Sequence, residues 1–293
     1  MKHVFIINPA AGEGKYQKVV SWVERNFSEN DFSIHITKYP GHAKEIAAMY
    51  EKDTVLYSVG GDGTAFEVVN GMNFENELAV IPVGTGNDFV KMVPYKGDII
   101  QLLEDTVFKG HVEKIDIGQA NEHLFLNEAN IGLDARVVAS ADKFRGKTMV
   151  PRTMIYLAAA IKEVFRMEPV KLDIYNDDFK RHKNVSLLAI MNGQYYGSAF
   201  RSAPQAKIND GLLDLVIVDE ISRVKAFSLI PKYMKGKHEG LDIVEFLKVK
   251  DVTIENKEGM IYVCDGEIFT AHKIDIKIHP GKLKYRFPKG VES

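Results

Sequence analysis

The chain has very little cysteine and no long apolar run. Cys264 is the one cysteine in 293 residues, so an internal disulfide is excluded and a reducing compartment is favoured. No stretch approaches the roughly 20 apolar residues that span a bilayer. The apolar segment before Asn8 and Pro9 is too short for the core of a signal peptide. We therefore expect a soluble, cytoplasmic protein.

An excess of basic charge is also missing. Lys and Arg number 38 against 40 Asp and Glu, which gives a formal net charge of -2 and argues against a nucleic-acid partner. The nine histidines form no H-x-x-x-H pair, so a zinc site has no support. Hydrophobic residues make up 45% and charged residues 27%, the composition of a globular protein long enough for two domains.

The first part of the chain alternates strand-like and helix-like segments. Unbroken apolar runs at 3–8, 54–60 and 77–83 are typical of parallel strands buried on both faces, and amphipathic segments separate them. This alternation predicts an α/β domain with a parallel sheet and helices on both faces. Ligands of such sheets bind where the strands end.

The pattern changes near residue 116. Beyond it, alternating segments separated by turns such as Asn176-Asp177-Asp178 predict a β-rich, mostly antiparallel second domain. Helices are expected there only near 153–167 and 222–235. We place the first domain at 1–116 and the second at 117–293, and leave open that the C-terminal tail returns to the first domain.

Three glycine-containing loops follow three of the predicted parallel strands. They are Asn8 to Gly12, Gly60 to Thr64 and Gly84 to Asp88. Glycine supplies unusual φ angles and lets backbone N–H groups approach a ligand, and a following helix start favours phosphate. Because a carboxylate repels phosphate, Asp62 and Asp88 are expected to bind a cation, for which Mg²⁺ on nucleotide phosphates is the usual choice. One such loop alone is better explained as an ordinary strand-to-helix turn, but three of them after three strands of one sheet favour a binding site.

Two common phosphate motifs are absent from these loops. Gly12-Glu13-Gly14-Lys15 fails the Walker A pattern, since Pro9 stands where that pattern begins and Tyr16 follows the lysine. No G-x-G-x-x-G opens the first helix, which excludes the dinucleotide fingerprint.

Taken together, N-P-A-A-G, G-G-D-G-T, G-T-G-N-D-F and the late C-D-G-E resemble the soluble bacterial diacylglycerol kinase family, which is related to sphingosine and ceramide kinases. G-G-D-G-T alone is shared with NAD kinases, whereas G-T-G-N-D-F is specific to the lipid kinases. The resemblance spans essentially the whole chain. It implies a nucleotide-binding α/β domain, a β-rich domain and an active site between them.

The resemblance implies ATP and Mg²⁺ as cofactors and assigns residues to each. Those expected to bind ATP are Asn8, Pro9, Ala10, Ala11, Gly12, Thr37, Gly60, Gly61, Asp62, Gly63, Thr64, Ala65, Phe66, Gly84, Thr85, Gly86 and Asn87. Phe66 departs from the family, which has asparagine there, so one polar contact to the nucleotide is missing. For Mg²⁺ we expect Asp62, Asp88 and Asp116, although Asp116 is equally explained as a polar residue at a strand end.

Phosphorylating a hydroxyl needs a carboxylate near it. Asp265 and Glu267 stand at a turn after a strand, which on sequence alone is an ordinary hairpin. The resemblance implies that the acids of this turn are catalytic together with Asp62. It leaves open whether Asp265 or Glu267 is the base. We expect the neighbouring Cys264 to be buried rather than nucleophilic.

A second metal site is implied near the turn Asp210-Gly211. The resemblance predicts a structural Mg²⁺ bound by the carbonyls of Lys207 and Leu212 and the carboxylate of Asp210, where the alternative is a plain turn.

The segment 142–167 interleaves cations with apolar residues. It suits an anionic membrane surface, but we favour a helix packed between domains. The predicted function is an ATP- and Mg²⁺-dependent lipid kinase acting on diacylglycerol, in transient contact with the membrane. Alternatives are a kinase of another lipid alcohol, an NAD kinase-like enzyme, or a non-catalytic nucleotide-binding regulator. The resemblance leaves a homodimer open.

Overall fold

The structure is a computed structural model that describes residues 1–28, 30–84, 86–143, 150, 152–197 and 199–292. Thr85, one of the residues predicted to bind ATP, lies outside this range, as does part of the basic segment that follows Asp142. The chain divides into two compact units. One consists of Met1–Asp116 with Pro280–Ser293, and the other of Ile117–His279.

The elements alternate regularly at first and become mostly strands later. Up to residue 116 they are β1 (Lys2–Ile7), α1 (Tyr16–Asn26), β2 (Phe32–Ile36), α2 (His42–Ala48), β3 (Thr54–Gly60), α3 (Asp62–Val69), β4 (Glu77–Pro82), α4 (Ile99–Val107) and the first part of β5 (His111–Ala120). They continue with β6 (His123–Phe125), β7 (Glu128–Gly132), α5 (Leu133–Asp142), α6 (Arg152–Phe165), β8 (Val170–Tyr175), β9 (Lys180–Met191), β10 (Tyr195–Tyr196), β11 (Phe200–Arg201), β12 (Leu213–Asp219), α7 (Arg223–Met234), β13 (Val244–Val249), β14 (Asp251–Cys264) and β15 (Glu267–Phe287). Short 3₁₀ turns occupy Gly12–Gly14 and Phe89–Met92.

The first unit is built on a parallel sheet in the order β2-β1-β3-β4. The last part of β15 extends it, since Lys284 and Tyr285 pair in parallel with Glu77 and Leu78 of β4. Every residue of β3 is buried, which is why its sequence is continuously apolar rather than alternating.

Helices cover both faces of this sheet. Phe5 and Ile7 of β1 pack in one cluster with Trp22 of α1 and Leu103 of α4. Successive strand residues point to opposite faces, so Val4 and Ile6 face the other side. The remaining helices, α2 and α3, contact each other as well as β1 and β3. The predicted α/β fold with helices on both faces is confirmed.

The second unit is dominated by antiparallel strands. Its sheet runs β13-β12-β9-β7-β14, and β8 pairs with both β9 and β14. The hairpin β14–β15 is in register from Cys264↔Glu267 to Asp251↔Lys277, with one shift near Glu255. The predicted β-rich, mostly antiparallel character of this part is confirmed.

One helix was not predicted. The sequence predicts helices in this part only near 153–167 and 222–235, where α6 and α7 lie, whereas α5 also forms from Leu133 to Asp142. Gly132 ends β7 with φ of +87°, and a Cβ there would stand 2.8 Å from the carbonyl oxygen of Ser186. The apolar pattern of β7 continues up to Gly132. The sequence therefore gives little sign that helical spacing begins at Leu133.

One of the buried carboxyl groups of the second unit, that of Asp134, lies among mostly apolar side chains. Asp134, in the first turn of α5, is 6% exposed. Burial raises the pKa of this carboxyl from 3.8 to about 7, and the nearby hydroxyl of Tyr196 opposes the shift. No helix among the described residues is long and apolar enough to cross a bilayer.

The buried carboxyl makes stability depend on pH. Between its pKa in the unfolded chain, 3.8, and its pKa in the folded chain, about 7, Asp134 ionises only when the chain unfolds. Stability is therefore lost as pH rises through this window, by up to about 4 kcal/mol. Asp134→Asn should raise the free energy of unfolding more at pH 8 than at pH 4.5, as measured by urea denaturation. The exposed Asp177→Asn is the control, and an equal gain at both pH values would contradict the assignment.

Candidate functional site

The three glycine loops lie at one edge of the parallel sheet. Strands β1, β3 and β4 are neighbours and run in the same direction, so their carboxyl ends meet at that edge. The segments 8–12, 61–64 and 83–88 leave these ends, and Thr37 follows β2 beside them, donating its backbone N–H to the Ile7 carbonyl at 2.8 Å. Sequence-distant loops are thereby brought together.

Gly60 joins two of the loops. Its carbonyl oxygen accepts the backbone N–H groups of Val83 and Gly84, each at 3.1 Å. A Cβ on Gly60 would stand 2.3 Å from Oγ1 of Thr64, so no side chain fits at this position. Glycine is required here by close packing rather than by an unusual φ.

The need for positive φ, expected for the glycine loops in general, applies to Gly12. Its φ is +69°, and an added Cβ would lie 1.8 Å from the carbonyl oxygen of Val83. Gly61, in contrast, has an ordinary φ of -111°. The conformational explanation therefore holds for the first loop and is wrong for Gly61 in the second.

Open space remains beside Gly61. A Cβ on this residue would meet only Asn87 Oδ1 and Gly84 Cα, both at 3.8 Å, which is ordinary van der Waals contact. A Cβ on Gly84 would lie 2.8 Å from Gly61 Cα. Protein packing thus excludes a side chain at Gly84 but leaves room for one at Gly61, directly before the first residue of α3.

Side-chain hydrogen bonds fix the shape of the first loop. Asn8 donates through Nδ2 to Thr64 Oγ1 at 3.1 Å, and its Oδ1 accepts the backbone N–H of Ala10 at 3.0 Å. Pro9 and Ala11 lie in this same loop, with the Ala11 N–H donating to the Asn8 carbonyl at 3.2 Å. Asn8 and Thr64 therefore hold the first two loops in one arrangement.

Asn87 shapes the third loop. It adopts φ of +53°, and its Nδ2 donates to the Gly84 carbonyl at 2.8 Å. Its Oδ1 is buried and accepts no hydrogen bond in the described structure. A buried acceptor that lacks a donor is costly, and this one lies beside the space next to Gly61.

Other predicted nucleotide-binding residues differ in what their side chains do. Ala65 is 2% exposed and Phe66 is 8% exposed, so both side chains belong to the interior of the first unit. Gly63 lies in the first turn of α3, and Gly86 in the third loop. The phenyl ring of Phe66 stabilises α3 by packing, which accounts for an apolar residue at this position.

A hydrogen bond joins the side chain of Asp62 to the backbone of Asp88. Asp62 Oδ1 accepts the N–H of Asp88 at 2.7 Å. Asp88 Oδ1 forms an ion pair with Lys91 Nζ at 2.6 Å. Asp116 is 2% exposed and accepts the backbone N–H of Gly281 at 2.7 Å through Oδ1. Each of these carboxylates thus has a structural partner.

These three carboxylates do not assemble a resident metal site. Among the described residues no group of three or more His, Cys, Asp or Glu side chains could hold a metal ion. A cation at this edge of the sheet would therefore need further ligands, such as phosphate oxygens that arrive with it.

In the second unit, Asp265 and Glu267 flank the turn between β14 and β15. Asp265 and Gly266 have φ of +44° and +87°, and Cys264 pairs with Glu267, as in a two-residue hairpin turn. Cys264 is buried, and burial raises the pKa of its thiol, so a nucleophilic thiolate is disfavoured.

Asp265 holds a neighbouring loop in place. Its Oδ2 accepts the N–H of Leu126 at 2.6 Å, and its Oδ1 accepts those of Asn127 at 2.9 Å and Glu128 at 3.0 Å. The residue is 8% exposed, and both oxygens are engaged by backbone donors. These contacts hold the backbone of residues 126–128, whereas Glu267 is half-buried.

A buried polar cluster around this loop was missed by the sequence analysis. Asn130 donates to Glu128 Oε2 at 2.8 Å, Asn192 donates to the Leu126 carbonyl at 2.6 Å, and Asn127 donates to the Tyr195 carbonyl. All four side chains are buried. The signal was available: three amides or acids fall within the otherwise apolar segment 124–131.

The predicted structural metal site at Asp210 is occupied by a lysine. Lys248 Nζ lies 2.9 Å from Asp210 Oδ2 and 3.0 Å from Asp214 Oδ2. Asp210 Oδ1 accepts the N–H of Leu212 at 3.1 Å, and Lys207 is exposed. These contacts do not fit a resident Mg²⁺, because the ammonium group already supplies the positive charge that the carboxylate needs.

Removing this ammonium group should allow Mg²⁺ to bind to the two carboxylates and stabilise the protein. Lys248→Met leaves Asp210 beside Asp214, whose pKa is raised first by burial and further by Asp210. We expect a lower melting temperature, partly restored by millimolar Mg²⁺, whereas the wild type and the exposed control Lys250→Met do not respond. Mg²⁺ stabilisation of the nucleotide-free wild type that Asp210→Ala abolishes would contradict this account.

Comparison with known proteins agrees with this arrangement. Residues 2–120 match the diacylglycerol kinase catalytic domain, and residues 127–286 match the YegS C-terminal NAD kinase beta sandwich-like domain. The chain is 30% identical over 276 residues to a diacylglycerol kinase of Bacillus subtilis (strain 168), covering 91% of this chain and 90% of that protein. It is 27% identical over 271 residues to a diacylglycerol kinase of Staphylococcus saprophyticus, covering 89% and 87%.

A solved structure shares the fold. The crystal structure of a diacylglycerol kinase from Bacillus anthracis strain Sterne superposes with a TM-score of 0.75 at 23% identity, over 99% of this chain and 98% of that one. The two matched domains correspond to the α/β and β-rich parts described above. The chain belongs to the diacylglycerol kinase family of lipid kinases.

Proposed function

We propose that this protein transfers the γ-phosphoryl group of ATP, supplied as its Mg²⁺ complex, to the hydroxyl of diacylglycerol and forms phosphatidic acid. The observation that carries the proposal is the meeting of three glycine loops at the carboxyl ends of β1, β3 and β4. The family membership supports a lipid as the acceptor of the phosphoryl group.

The space beside Gly61 is suited to phosphate. It lies at the start of α3, where the first N–H groups of the helix and the positive end of the helix dipole favour an anion. The buried Oδ1 of Asn87 needs a donor, which a ribose hydroxyl or an adenine amino group supplies. A nucleotide thus offers both the anion and the donor.

We propose that Asp62 binds the Mg²⁺ ion that arrives with the nucleotide. Its position as the first residue of α3, next to Gly61, puts it nearest to phosphates bound there. Mg²⁺ neutralises charge on the phosphoryl oxygens during transfer. Asp88 takes a supporting role, because its N–H orients Asp62 and its carboxylate is paired with Lys91.

Glu267 is proposed to accept or orient the proton of the lipid hydroxyl. It follows the tight turn whose backbone geometry is fixed by Asp265 and Gly266. Asp265 is then a positioning residue, since its carboxylate holds the backbone of residues 126–128. With this assignment we propose one of the two acids that the sequence left open as the base.

Peripheral contact with the membrane is supported by α6. Met154, Leu157, Ile161 and Phe165 are 60%, 39%, 41% and 61% exposed, and all lie on one face of the helix. Exposed cations flank them, including Lys162 and Arg166. An apolar stripe bordered by positive charge suits an anionic lipid surface. We propose this membrane contact as the alternative to the helix packed between domains that the sequence favours.

A panel of acceptors tests the proposed function. Purified protein with Mg²⁺ and γ-labelled ATP is offered diacylglycerol, ceramide, sphingosine, undecaprenol and NAD. We expect label in phosphatidic acid. Transfer to another lipid alcohol would correct the substrate, transfer to NAD alone would overturn the lipid assignment, and transfer to none would favour a nucleotide-binding regulator.

Gly61 tests the nucleotide site. Gly61→Val should weaken ATP binding roughly ten- to hundredfold, because its methyl groups fill the space proposed for phosphates. Folding should be retained, since the protein itself leaves 3.8 Å around a Cβ there. Calorimetric titration of ATP measures the effect, with the exposed Ala48→Val as control. Unchanged affinity in folded Gly61→Val would place the phosphates elsewhere.

Substitutions of the two acids of the β14–β15 turn should differ in their effects on turnover and on the melting temperature. Glu267→Gln should lower turnover by about a hundred- to ten-thousand-fold while leaving the melting temperature and ATP affinity near wild type. Asp265→Asn should lower the melting temperature as well, because an amide nitrogen cannot accept the N–H groups that Asp265 now accepts. A Glu267→Gln enzyme with normal turnover would refute the role of Glu267.

A further inference from the structure

The start of β10 is joined to the loop that Asp265 holds in place. The side-chain amide of Asn127 donates to the Tyr195 carbonyl, and the backbone N–H groups of Asn192 and Gly193 donate to the Asn127 carbonyl at 2.9 and 3.0 Å. The backbone N–H of Asn127 in turn donates to Asp265 Oδ1 at 2.9 Å. Strand β10 therefore begins two hydrogen bonds away from the β14–β15 turn.

Arg201 of β11 stands directly opposite Tyr195 of β10. Its guanidinium carbon lies 5.6 Å from the centre of the Tyr195 ring, and its Nε and Nη2 donate to Gln194 Oε1 at 3.0 and 2.8 Å. Nη2 also donates to the carbonyl oxygen of Pro204 at 3.5 Å. Because two bonds to one oxygen and a stacked ring fix the guanidinium plane, its position is set before any ligand binds.

The described residues offer Arg201 no carboxylate partner. It donates only to neutral oxygens, and its Nη1 donates to no residue in the described part of the chain. Arg181 and Lys183, which are also half-buried in this unit, each form an ion pair with Glu245 instead. A cation that is partly removed from water normally acquires a charged partner. Arg201 therefore keeps both a positive charge and a donor for an anion.

The end of α7 packs against the aliphatic part of Arg201 and adds positive charge there. Gly236 follows α7 with φ of +64°, and a Cβ on it would lie 3.2 Å from Arg201 Cδ and 2.8 Å from Pro204 Cγ. Lys235 and Lys237, on either side of this glycine, are exposed and pair with no acid among the described residues. Three cations thus lie close together on a chain whose formal net charge is -2.

A phosphomonoester is the anion that suits these cations. Near neutral pH it carries a charge close to -2 and three acceptor oxygens, and a planar guanidinium binds it through parallel N–H groups. A carboxylate offers a single charge and two oxygens. Phosphate therefore makes fuller use of the Nη1 group of Arg201 and of the two lysines.

We propose that Arg201, with Lys235 and Lys237 beside it, binds a phosphomonoester group, which the proposed reaction supplies as the headgroup of its phosphorylated lipid. The lipid source rests on the proposed function, whereas the anion site rests on the contacts of Arg201 alone. Gln194 is then a positioning residue that holds the guanidinium. The second unit thereby has a phosphate-binding group of its own.

Arginine side-chain NMR tests this site without ATP. Protein with isotope-labelled arginine is titrated with dihexanoyl phosphatidic acid below the concentration at which this lipid aggregates. The Nε–H signal of Arg201 is identified by its absence from Arg201→Lys. We expect this signal to move in a saturable way, and the uncharged dihexanoylglycerol to leave it in place. A wild-type signal that phosphatidic acid does not move would overturn the proposal, whatever the variants do.

Equilibrium dialysis of variants measures what the guanidinium contributes. Arg201→Gln should weaken binding of dihexanoyl phosphatidic acid roughly tenfold or more, because its charge-assisted hydrogen bonds are lost. Arg201→Lys keeps the charge without the planar fork and should weaken binding less. Arg223→Gln removes the same charge from the exposed start of α7 and should bind within about twofold of wild type. Equal losses in Arg201→Gln and Arg223→Gln would overturn the site.

Glycerol 3-phosphate and inorganic phosphate distinguish the sources of the phosphate group. Phosphatidic acid bound at least about tenfold more tightly than both would support a phosphorylated lipid as the ligand, and equal Arg201-dependent affinities would support free phosphate. An Arg201 signal that responds in a protein without lipid kinase activity would support the site and refute the proposed function. An active lipid kinase whose Arg201 signal does not respond would overturn the site alone.

Discussion

The carbonyl oxygen of Gly60 is the point at which the three glycine loops depend on one another. It accepts N–H groups from Val83 and Gly84, and the absence of a side chain at Gly60 lets Thr64 pack against it. Thr64 then receives the Asn8 amide of the first loop. Through these contacts three loops share one arrangement, and a side chain at Gly60 would disturb all of them. The space next to Gly61 exists because its neighbours are fixed in this way.

Several acidic residues that the sequence suggests for catalysis or metal binding have structural partners, either backbone N–H groups or lysine side chains. Asp265 receives three N–H groups, Asp88 pairs with Lys91, and Asp210 pairs with Lys248. A carboxylate whose oxygens are already engaged is a poor base and a poor metal ligand. We propose Glu267 and Asp62 for the chemistry because of their positions, after the β14–β15 turn and at the start of α3, since Asp62 also accepts a backbone N–H, from Asp88.

The sequence predicted the architecture because local patterns determine it. The fully buried β3 shows a continuous apolar run, and the loop sequences show where the parallel strands end. The contacts that decide roles could not be predicted, because they join distant residues: Asp265 binds Leu126, 139 positions away, and Lys248 reaches Asp210 across 38. The burial of Asp134 depends in the same way on the packing of α5 against the rest of the second unit, which no local pattern specifies.

The central claim is that phosphate lies against the bare backbone beside Gly61. Backbone amide chemical shifts of isotope-labelled protein, followed during separate titrations with ATP and with adenosine, test it most directly. The account predicts that ATP shifts the amides of Gly61, Asp62 and Gly63 strongly, and that adenosine, which has no phosphates, leaves them nearly unchanged. Equal shifts with both ligands, or phosphate-dependent shifts confined to other loops, would contradict it.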